Sequence, residues 1–241
     1  MVDLTRFPRP NVAVDVAVLT VLPSPTPKST PGRLAVLVEE RSAEPAGHVL
    51  PGRFLRQTET IADCVRTALR DKVGLDPGTA EPHLLRVFDT PGRDPRGWTL
   101  SLAHALVLPP GRLEGARGAL VPVNLDGALR RGVRLLFDHE QIVREAAAEM
   151  RERYELSPDP DGVIDGPFTL ADLKIAHEAV LGELLARDTF RRRMSPQLQA
   201  HLDEGSQSTR TAGGRPARLW TAPRSHELTN EAKRRLALPR T

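Results

Sequence analysis

Three consecutive arginines, Arg191 to Arg193, sit in the segment DTFRRRM. A guanidinium can hold a phosphate or bridge the O6/N7 edge of guanine, so the direction in which they point matters most. Read as a helix, the segment turns Phe190 and Met194 inward at i and i+4. Arg192 is then directed outward, with Thr189, Arg191 and Arg193 on its flanks and Arg187 adding a cation at the start. Taken alone, such a run is most simply a solvated charged face. The residues that follow argue for more. Ser208–Thr211 and Arg215–Thr221 flank Ala212-Gly213-Gly214, the pattern of a β-hairpin with a glycine turn, and Arg210, Arg215 and Arg218 crowd it. Pro216 suits an edge or tip position. Two helices followed by a basic hairpin make a winged helix. Its second helix suits a major groove, and its wing suits a backbone or minor groove. Double-stranded DNA is the partner this chemistry points to.

Other reactive side chains argue for less. Cys64 is the one cysteine of the chain and falls on an apolar helix stripe, so it reads as a small buried hydrophobe and no intrachain disulfide can form. His139 has no second His or Cys at ligand spacing and reads as a structural or surface histidine. No metal site and no cofactor are expected.

Length and charge frame the rest. A chain of 241 residues, 39% hydrophobic but only 4% aromatic, can bury one sizeable aliphatic core plus a small one, which implies two domains. The formal charge of +3 is unevenly divided: residues 167–241 hold 13 Lys/Arg against 8 Asp/Glu, and residues 1–166 hold 21 against 23. A basic C-terminal piece on a near-neutral body again indicates a polyanion. There is no basic region followed by an apolar run at the N-terminus and no apolar stretch of 18 residues, so no membrane association and a cytoplasmic location are expected.

The elements that must position these groups can be read in order. Residues 1–10 are expected as a loose arm. Asn11–Leu22 and Arg33–Glu40 are β-branched, apolar strands separated by the Pro-rich loop PSPTPKSTPG. Ile61, Cys64, Val65, Ala68, Leu69 and Val73 recur at helical spacing. Thr58 or Thr60 is placed to cap the start of that helix, and Gly74 its left-handed end. Leu84–Phe88 and Trp98–Leu108 read as strands around the turn-rich stretch Asp89–Gly97, and Leu120–Val123 as a further short one. Asp138 is placed to cap a helix carrying Ile142, Ala146 and Met150 at i+4 steps. Leu156–Gly166 has the composition of a linker. Thr169 and Asp172 then resemble a capping box for a helix whose face is Leu170, Leu173, Ala176, Val180 and Leu181 and whose end is Gly182, and Asp188 is placed to cap DTFRRRM. Strands, a helix, more strands and a closing helix predict an α/β class, an α/β/α sandwich. The expected divisions are 1–156, a linker at 157–167, a winged helix-turn-helix at 168–222 and a tail at 223–241.

The stretch Pro51–Leu75 resembles the Nudix box, G-x5-E-x7-R-E-U-x-E-E-x-G-U with U aliphatic. Glu59 matches the first Glu, and Leu69, Gly74 and Leu75 match the aliphatics and the last Gly. Arg53 stands at the first Gly, Thr67 and Ala68 replace the Arg-Glu pair, and Asp71 and Lys72 replace the Glu-Glu pair. A Nudix hydrolase holds Mg²⁺ or Mn²⁺ on a diphosphate with several helix carboxylates, because hard cations prefer oxygen ligands. Glu59 and Asp71 alone remain here, and Lys72 puts a cation where an acid belongs. The resemblance therefore implies a Nudix-like fold that is not an enzyme.

The segments GRDPRGWTLSLAH and FDHEQI look like those of ADP-ribose-type Nudix proteins. With FTLADLKIAHEAVLG, RDTFRRRM and GGRPARLW, they resemble the NrtR family of Nudix-related transcriptional regulators of NAD metabolism, over most of residues 11–222. The resemblance implies a repressor of NAD biosynthesis or salvage genes. It implies a homodimer that reads a palindromic operator and a Nudix-like domain that senses ADP-ribose or a related NAD-derived nucleotide. Arg41, Arg53, Arg93 and Arg96 are then candidates for the diphosphate or ribose, Glu59 for an acceptor, and Lys72 for a cation replacing the lost metal. The readers of DNA would be Arg187, Thr189, Arg191, Arg192, Arg193, Arg210, Arg215 and Arg218. The alternative is an active hydrolase of ADP-ribose or another nucleoside diphosphate derivative, using Asp71 and Glu59. A nucleotide-binding or protein-interaction module is the third reading.

Overall fold

The structure, a computed structural model, describes residues 3, 6–26, 29–78, 80–130, 132–203, 206–207, 209–210 and 216–222. Its axis is β1 (Asn11–Leu22). This strand is apolar nearly throughout because both of its faces are covered, the condition under which a strand loses its alternation. β2 (Arg33–Arg41) lies antiparallel to its second half, with Leu19 opposite Val36. β3 (Gly47–Val49) pairs with the end of β2, while β4 (Gly52–Phe54) pairs with the first half of β1. β2 and β4 thus share one side of β1 and part company around its middle. After α1 (Ile61–Ala68) come β5 (His83–Phe88) and β6 (Thr99–Val107). β6 runs parallel to β1 and β5 antiparallel to β6. β7 (Ala119–Pro122) pairs with β2 and completes a seven-stranded mixed sheet.

The two-residue period of β1 divides the core. Val14, Val16 and Val18 meet Cys64, Val65 and Leu69 of the first helix, together with Val73. Ala17 and Leu19 meet Ile142, Ala146, Ala147 and Met150 of α2 (His139–Leu156) on the other face. The sheet therefore lies between helices, as expected for an α/β/α sandwich. Thr60 and Asp63 form a reciprocal capping box at the start of α1, and Gly74 closes its end at φ 70°. Three details depart from the sequence reading. Ile61 is 42% exposed and not part of the buried stripe, and Leu69–Val73 widen into a π-helical turn that keeps both Leu69 and Val73 buried. Asp138 is the residue that precedes α2, but its side chain does not cap the helix.

The C-terminal part is built onto this body. α3 (Leu170–Leu181) starts at a Thr169–Asp172 capping box and stops at Gly182, φ 74°. Its Ala176 and Val180 enter the same core as α2. Gly32 permits the approach, since a Cβ there would lie 2.6 Å from the Leu22 carbonyl oxygen and 2.9 Å from the Ala179 methyl. Arg151 of α2 donates to the carbonyls of Val180, Leu125 and Asn124. The 157–167 segment is not a loose tether. Val163 is buried, and the Asp159 carboxylate accepts from the Tyr154 hydroxyl and from the amides of Val163 and Ile164.

α4 (Arg187–Met194) begins one residue earlier than the proposed Asp188 cap. Ala186 holds the cap position and makes no side-chain bond, so Asp188 lies in the first turn. Phe190 and Met194 join Phe168, Leu173 and Leu198 in a small separate core. Burial of each such side chain contributes about 1.5–3 kcal/mol, which holds the helix pair together. β8 (Gln199–Ala200), β9 (Leu202–Asp203), β10 (Ser206–Gln207), β11 (Thr209–Arg210), β12 (Ala217–Arg218) and β13 (Trp220–Thr221) follow. β11 pairs with β12 as the expected hairpin, although Ser208 and residues 211–215, its turn, lie outside the described residues. β13 instead pairs with β8, and Trp220 exchanges backbone hydrogen bonds with Phe168, joining the two ends of the unit. No helix among the described residues is long and apolar enough to cross a membrane.

Candidate functional site

Where β2 and β4 part company beside β1, the sheet opens into a cleft of about 200 Å³. Arg41, Arg53, Lys72, Arg93 and Arg96 all line it, and Glu59 bonds to one of them. The six residues proposed from sequence for the effector are thus brought together from β2, β4, the first helix and the long β5–β6 loop.

Most of these cations already have acidic partners. Arg53 spans both oxygens of Glu59 at 2.7 and 2.9 Å, a bond that lowers the Glu59 carboxyl below its ordinary value. Lys72 Nζ lies 3.2 Å from Glu39 Oε1, and Glu39 Oε2 is buried with no hydrogen-bond partner among the described residues. Arg41 is folded onto its own loop through the carbonyls of Ala43, Glu44 and Pro45. Asp71 pairs with Arg70 at the surface and does not line the cleft.

Arg93 is the buried member, its side chain 4% exposed. It donates to Asp138 at 2.8 and 2.5 Å and approaches Asp15 at 3.4 Å. This explains why Asp138 does not cap its own helix: its carboxylate is turned to Arg93 instead. Asp15 also accepts from Ser101 Oγ at 2.6 Å and faces His139 Nε2 at 3.4 Å. His139 Nδ1 accepts the Leu50 amide at 2.9 Å, which places the ring proton on Nε2 toward Asp15. Burial pushes the Asp15 carboxyl up, but His139, Ser101 and Arg93 outweigh it and bring it down to about 2. His139 is accordingly a buried structural histidine.

Arg96 has a different setting. It chelates Asp94 at 2.9 and 2.7 Å, a bond that lowers the Asp94 carboxyl, and its guanidinium lies over the Phe54 ring at 5.3 Å and over the Phe137 ring at 5.2 Å. Phe137 adopts φ 60°, a conformation costly for a bulky side chain, on the order of 1–3 kcal/mol. Phe54, Phe137, Asp15, Glu39 and Asp138 were not identified from sequence as site residues. Two signals were available: Asp15, a lone acid inside the aliphatic run NVAVDVAVLTVL, and the segment FDHEQI, which holds Phe137 and Asp138.

The side chains of the cleft do not offer the ligands of the divalent cation that a Nudix box implies. Glu59 is engaged by Arg53, Asp71 is turned to solvent, and among the described residues no three His, Cys, Asp or Glu side chains converge. The residues present do not suit a carboxylate-held Mg²⁺.

On the second surface, Arg187, Arg191 and Arg192 are exposed along α4, while Thr189 and Arg193 are half-buried above Phe190 and Met194. Glu178 fixes the turn before α4 by accepting the Leu185 amide at 2.7 Å. Arg218 is exposed on β12, and Arg210 is tied by an ion pair to Asp172 at the start of α3. Arg215 lies outside the described residues.

Comparison with known proteins bears on both surfaces. Residues 163–222 match the family described as the NrtR DNA-binding winged helix domain. Over 223 residues the chain is 29% identical to the ADPR responsive transcriptional repressor NtrR of Acinetobacter baylyi, covering 89% of this chain and 82% of that protein. It is similar to the crystal structure of Shewanella oneidensis NrtR complexed with a 27mer DNA, at 25% identity and TM-score 0.65, over 88% of this chain and 93% of that one. A MutT/nudix family protein from Enterococcus faecalis shares the fold at 20% identity and TM-score 0.70, over 92% of this chain and 89% of that one. The architecture is a Nudix-like α/β/α sandwich followed by a winged helix.

Proposed function

We propose that this chain is a member of the NrtR family, a DNA-binding transcriptional repressor of NAD biosynthesis or salvage genes, controlled by ADP-ribose or a related NAD-derived nucleotide. Residues 1–156 sense the nucleotide in the cleft, and 168–222 read a palindromic operator as part of a homodimer in the cytoplasm, α4 lying in the major groove. Arg187, Thr189, Arg191, Arg192 and Arg193, with Arg210, Arg215 and Arg218 of the wing, make the DNA contacts. The chain does not act as a metal-dependent hydrolase.

The observation that carries this reading is the character of the cleft. Its walls hold Arg41, Arg53, Lys72, Arg93 and Arg96, the chemistry of a diphosphate receptor, and its acids are paired with those cations instead of converging on a metal position. Gel-shift assays against the protein's own upstream region and NAD-gene promoters, with and without ADP-ribose, test the reading. Specific binding that responds to ADP-ribose is the expected result. Failure to bind any operator-like duplex would sink it, and Mg²⁺-dependent release of AMP from ADP-ribose would favour the hydrolase.

A further inference from the structure

Of the two acids on α3, Asp172 and Glu178, only the second is buried, its side chain 4% exposed. Burying a carboxylate is costly unless its oxygens are paired, so its partners are informative. Glu178 Oε1 accepts the Leu185 amide at 2.7 Å and forms an ion pair with Lys174, one turn earlier. The backbone carbonyl of the same residue accepts the Gly182 amide at 2.8 Å. One residue therefore closes the end of α3 and holds the far side of the turn that leads into α4. That turn has few other holds. Ala186 occupies the cap position of α4 and offers no side-chain bond, and Glu183, Leu184 and Ala186 are exposed. Phe190 and Met194 anchor the second half of α4 in the small core, and of the turn residues Leu185 packs beside them. A helix of this length spans about 12 Å, so rotation about the Phe190–Met194 anchor swings the end that carries Arg187.

Base edges and phosphates make different demands on such a helix. A hydrogen bond to a base edge has a fixed direction, whereas an arginine meets a phosphate from many directions and without regard to sequence. We propose that Glu178 is a positioning residue for operator reading: through the Leu185 amide, its carboxylate sets the angle of α4 and with it the ability to select sequence. Being buried, it touches no DNA itself. The role rests on the DNA-binding reading above and names the residue that makes a basic helix a selective one. The acceptor oxygen is what matters, not the charge, because Lys174 neutralises the carboxylate and, with 22% of its side chain exposed, reaches water without it.

Fluorescence anisotropy of the full chain tests this, with one duplex from its own upstream region and one shuffled duplex of equal length and composition. Replacing a buried ion pair by an apolar side chain of similar volume is often neutral for stability, so Glu178→Leu removes the acceptor and spares the fold. This variant is expected to lose roughly tenfold or more in affinity for the upstream duplex, to stay within about twofold on the shuffled one, and to melt at the wild-type temperature. Glu178→Gln keeps an oxygen for the Leu185 amide and is expected within about twofold of wild type on both duplexes. Should Glu178→Leu not fold, Glu178→Met carries the same comparison with an unbranched side chain. Loss of the fold in both overturns the role, since Glu178 would then hold the domain together rather than aim its helix. Upstream affinity within about twofold of wild type in Glu178→Leu also overturns it. So do equal losses on the two duplexes, because a helix that is merely destabilised loses phosphate and base contacts together. A tenfold loss in Glu178→Gln overturns it as well, the acceptor then not being what matters. Wild-type protein that does not distinguish the duplexes sinks the operator reading itself, and the positioning role with it.

Discussion

Lys72 stands where the Nudix pattern carries an acid, and the structure points it into the cleft with Glu39 as its counter-ion. If a diphosphate replaces that carboxylate, Lys72→Ala removes a charge-assisted contact of about 1.5–3 kcal/mol, a tenfold to hundredfold loss of ADP-ribose affinity. Unchanged affinity would end the idea. Glu39→Gln removes the competing charge and is expected to tighten ADP-ribose binding severalfold in the same titration. Weaker binding would show that the buried, unpartnered Glu39 oxygen itself receives the ligand. At this scale the sequence was informative about charge and silent about shape. The cations could be picked out because Arg and Lys near a Nudix-like box have few other tasks. Phe54 and Phe137 could not, because a ring's role depends on a positive φ at residue 137 that only the Arg93–Asp138 contact and the α2 start impose.

At the scale of elements, helix ends were legible and helix partners were not. Thr60–Asp63, Gly74, Thr169–Asp172 and Gly182 act through bonds within a few residues, so spacing reveals them. The π-turn at Leu69–Val73 and the packed 157–167 segment depend on what lies against them, and a composition of Pro, Gly and Asp reads as a linker either way. On α4 the phase argument places Arg192 in the open, and Arg192→Ala is expected to weaken specific operator binding by about 1–3 kcal/mol if it meets a base. Unaltered affinity in a gel shift would remove it from the reading face. Asp159 of the 157–167 segment and His177 of α3, whose Nε2 meets the Pro158 carbonyl, together make a pH prediction. Burial pushes the His177 imidazole down to about 4, so the unfolded chain binds a proton that the fold refuses, and stability is lost as pH falls from about 6.5 toward 4. Burial pushes the Asp159 carboxyl up to about 6, so the fold takes a proton before the unfolded chain does. That contribution is present at low pH and lost as pH rises through about 6. Each is worth on the order of 3 kcal/mol at full extent, and between pH 4 and 6 they oppose one another. Relative to wild type, His177→Phe should therefore gain thermal stability on acidification from pH 7 to 4, and Asp159→Asn should lose it. Melting curves that stay parallel to wild type in both variants would refute this.

For the whole molecule, the question is how a cleft at one end of α2 reaches a DNA surface at the other. Asp138 and His139 at the start of α2 belong to the Arg93–Asp15 network in the cleft wall. Tyr154 near its end contacts His177 of α3, which contacts Phe190 of α4, with ring centres 5.1 and 5.2 Å apart. A rigid helix thus joins the two surfaces, provided that α3 stays seated on the sheet. Gly32 is where that seating is decided, because Ala179 leaves no room for a side chain. Gly32→Ala forces α3 outward, at a cost of about 1–3 kcal/mol in stability. Nucleotide affinity should remain near wild type, since no cleft residue is altered. Operator binding in Gly32→Ala should lose most of its response to ADP-ribose, because coupling between sites is a shared free energy that vanishes with the element carrying it. The same linkage requires operator DNA to change ADP-ribose affinity in the wild type by the factor with which ADP-ribose changes operator affinity, and requires both factors to fall together in the variant. Titrating each ligand in the presence and absence of the other measures both. A variant that retains the full wild-type factor would mean that the signal travels by a route other than the contact between α3 and the sheet.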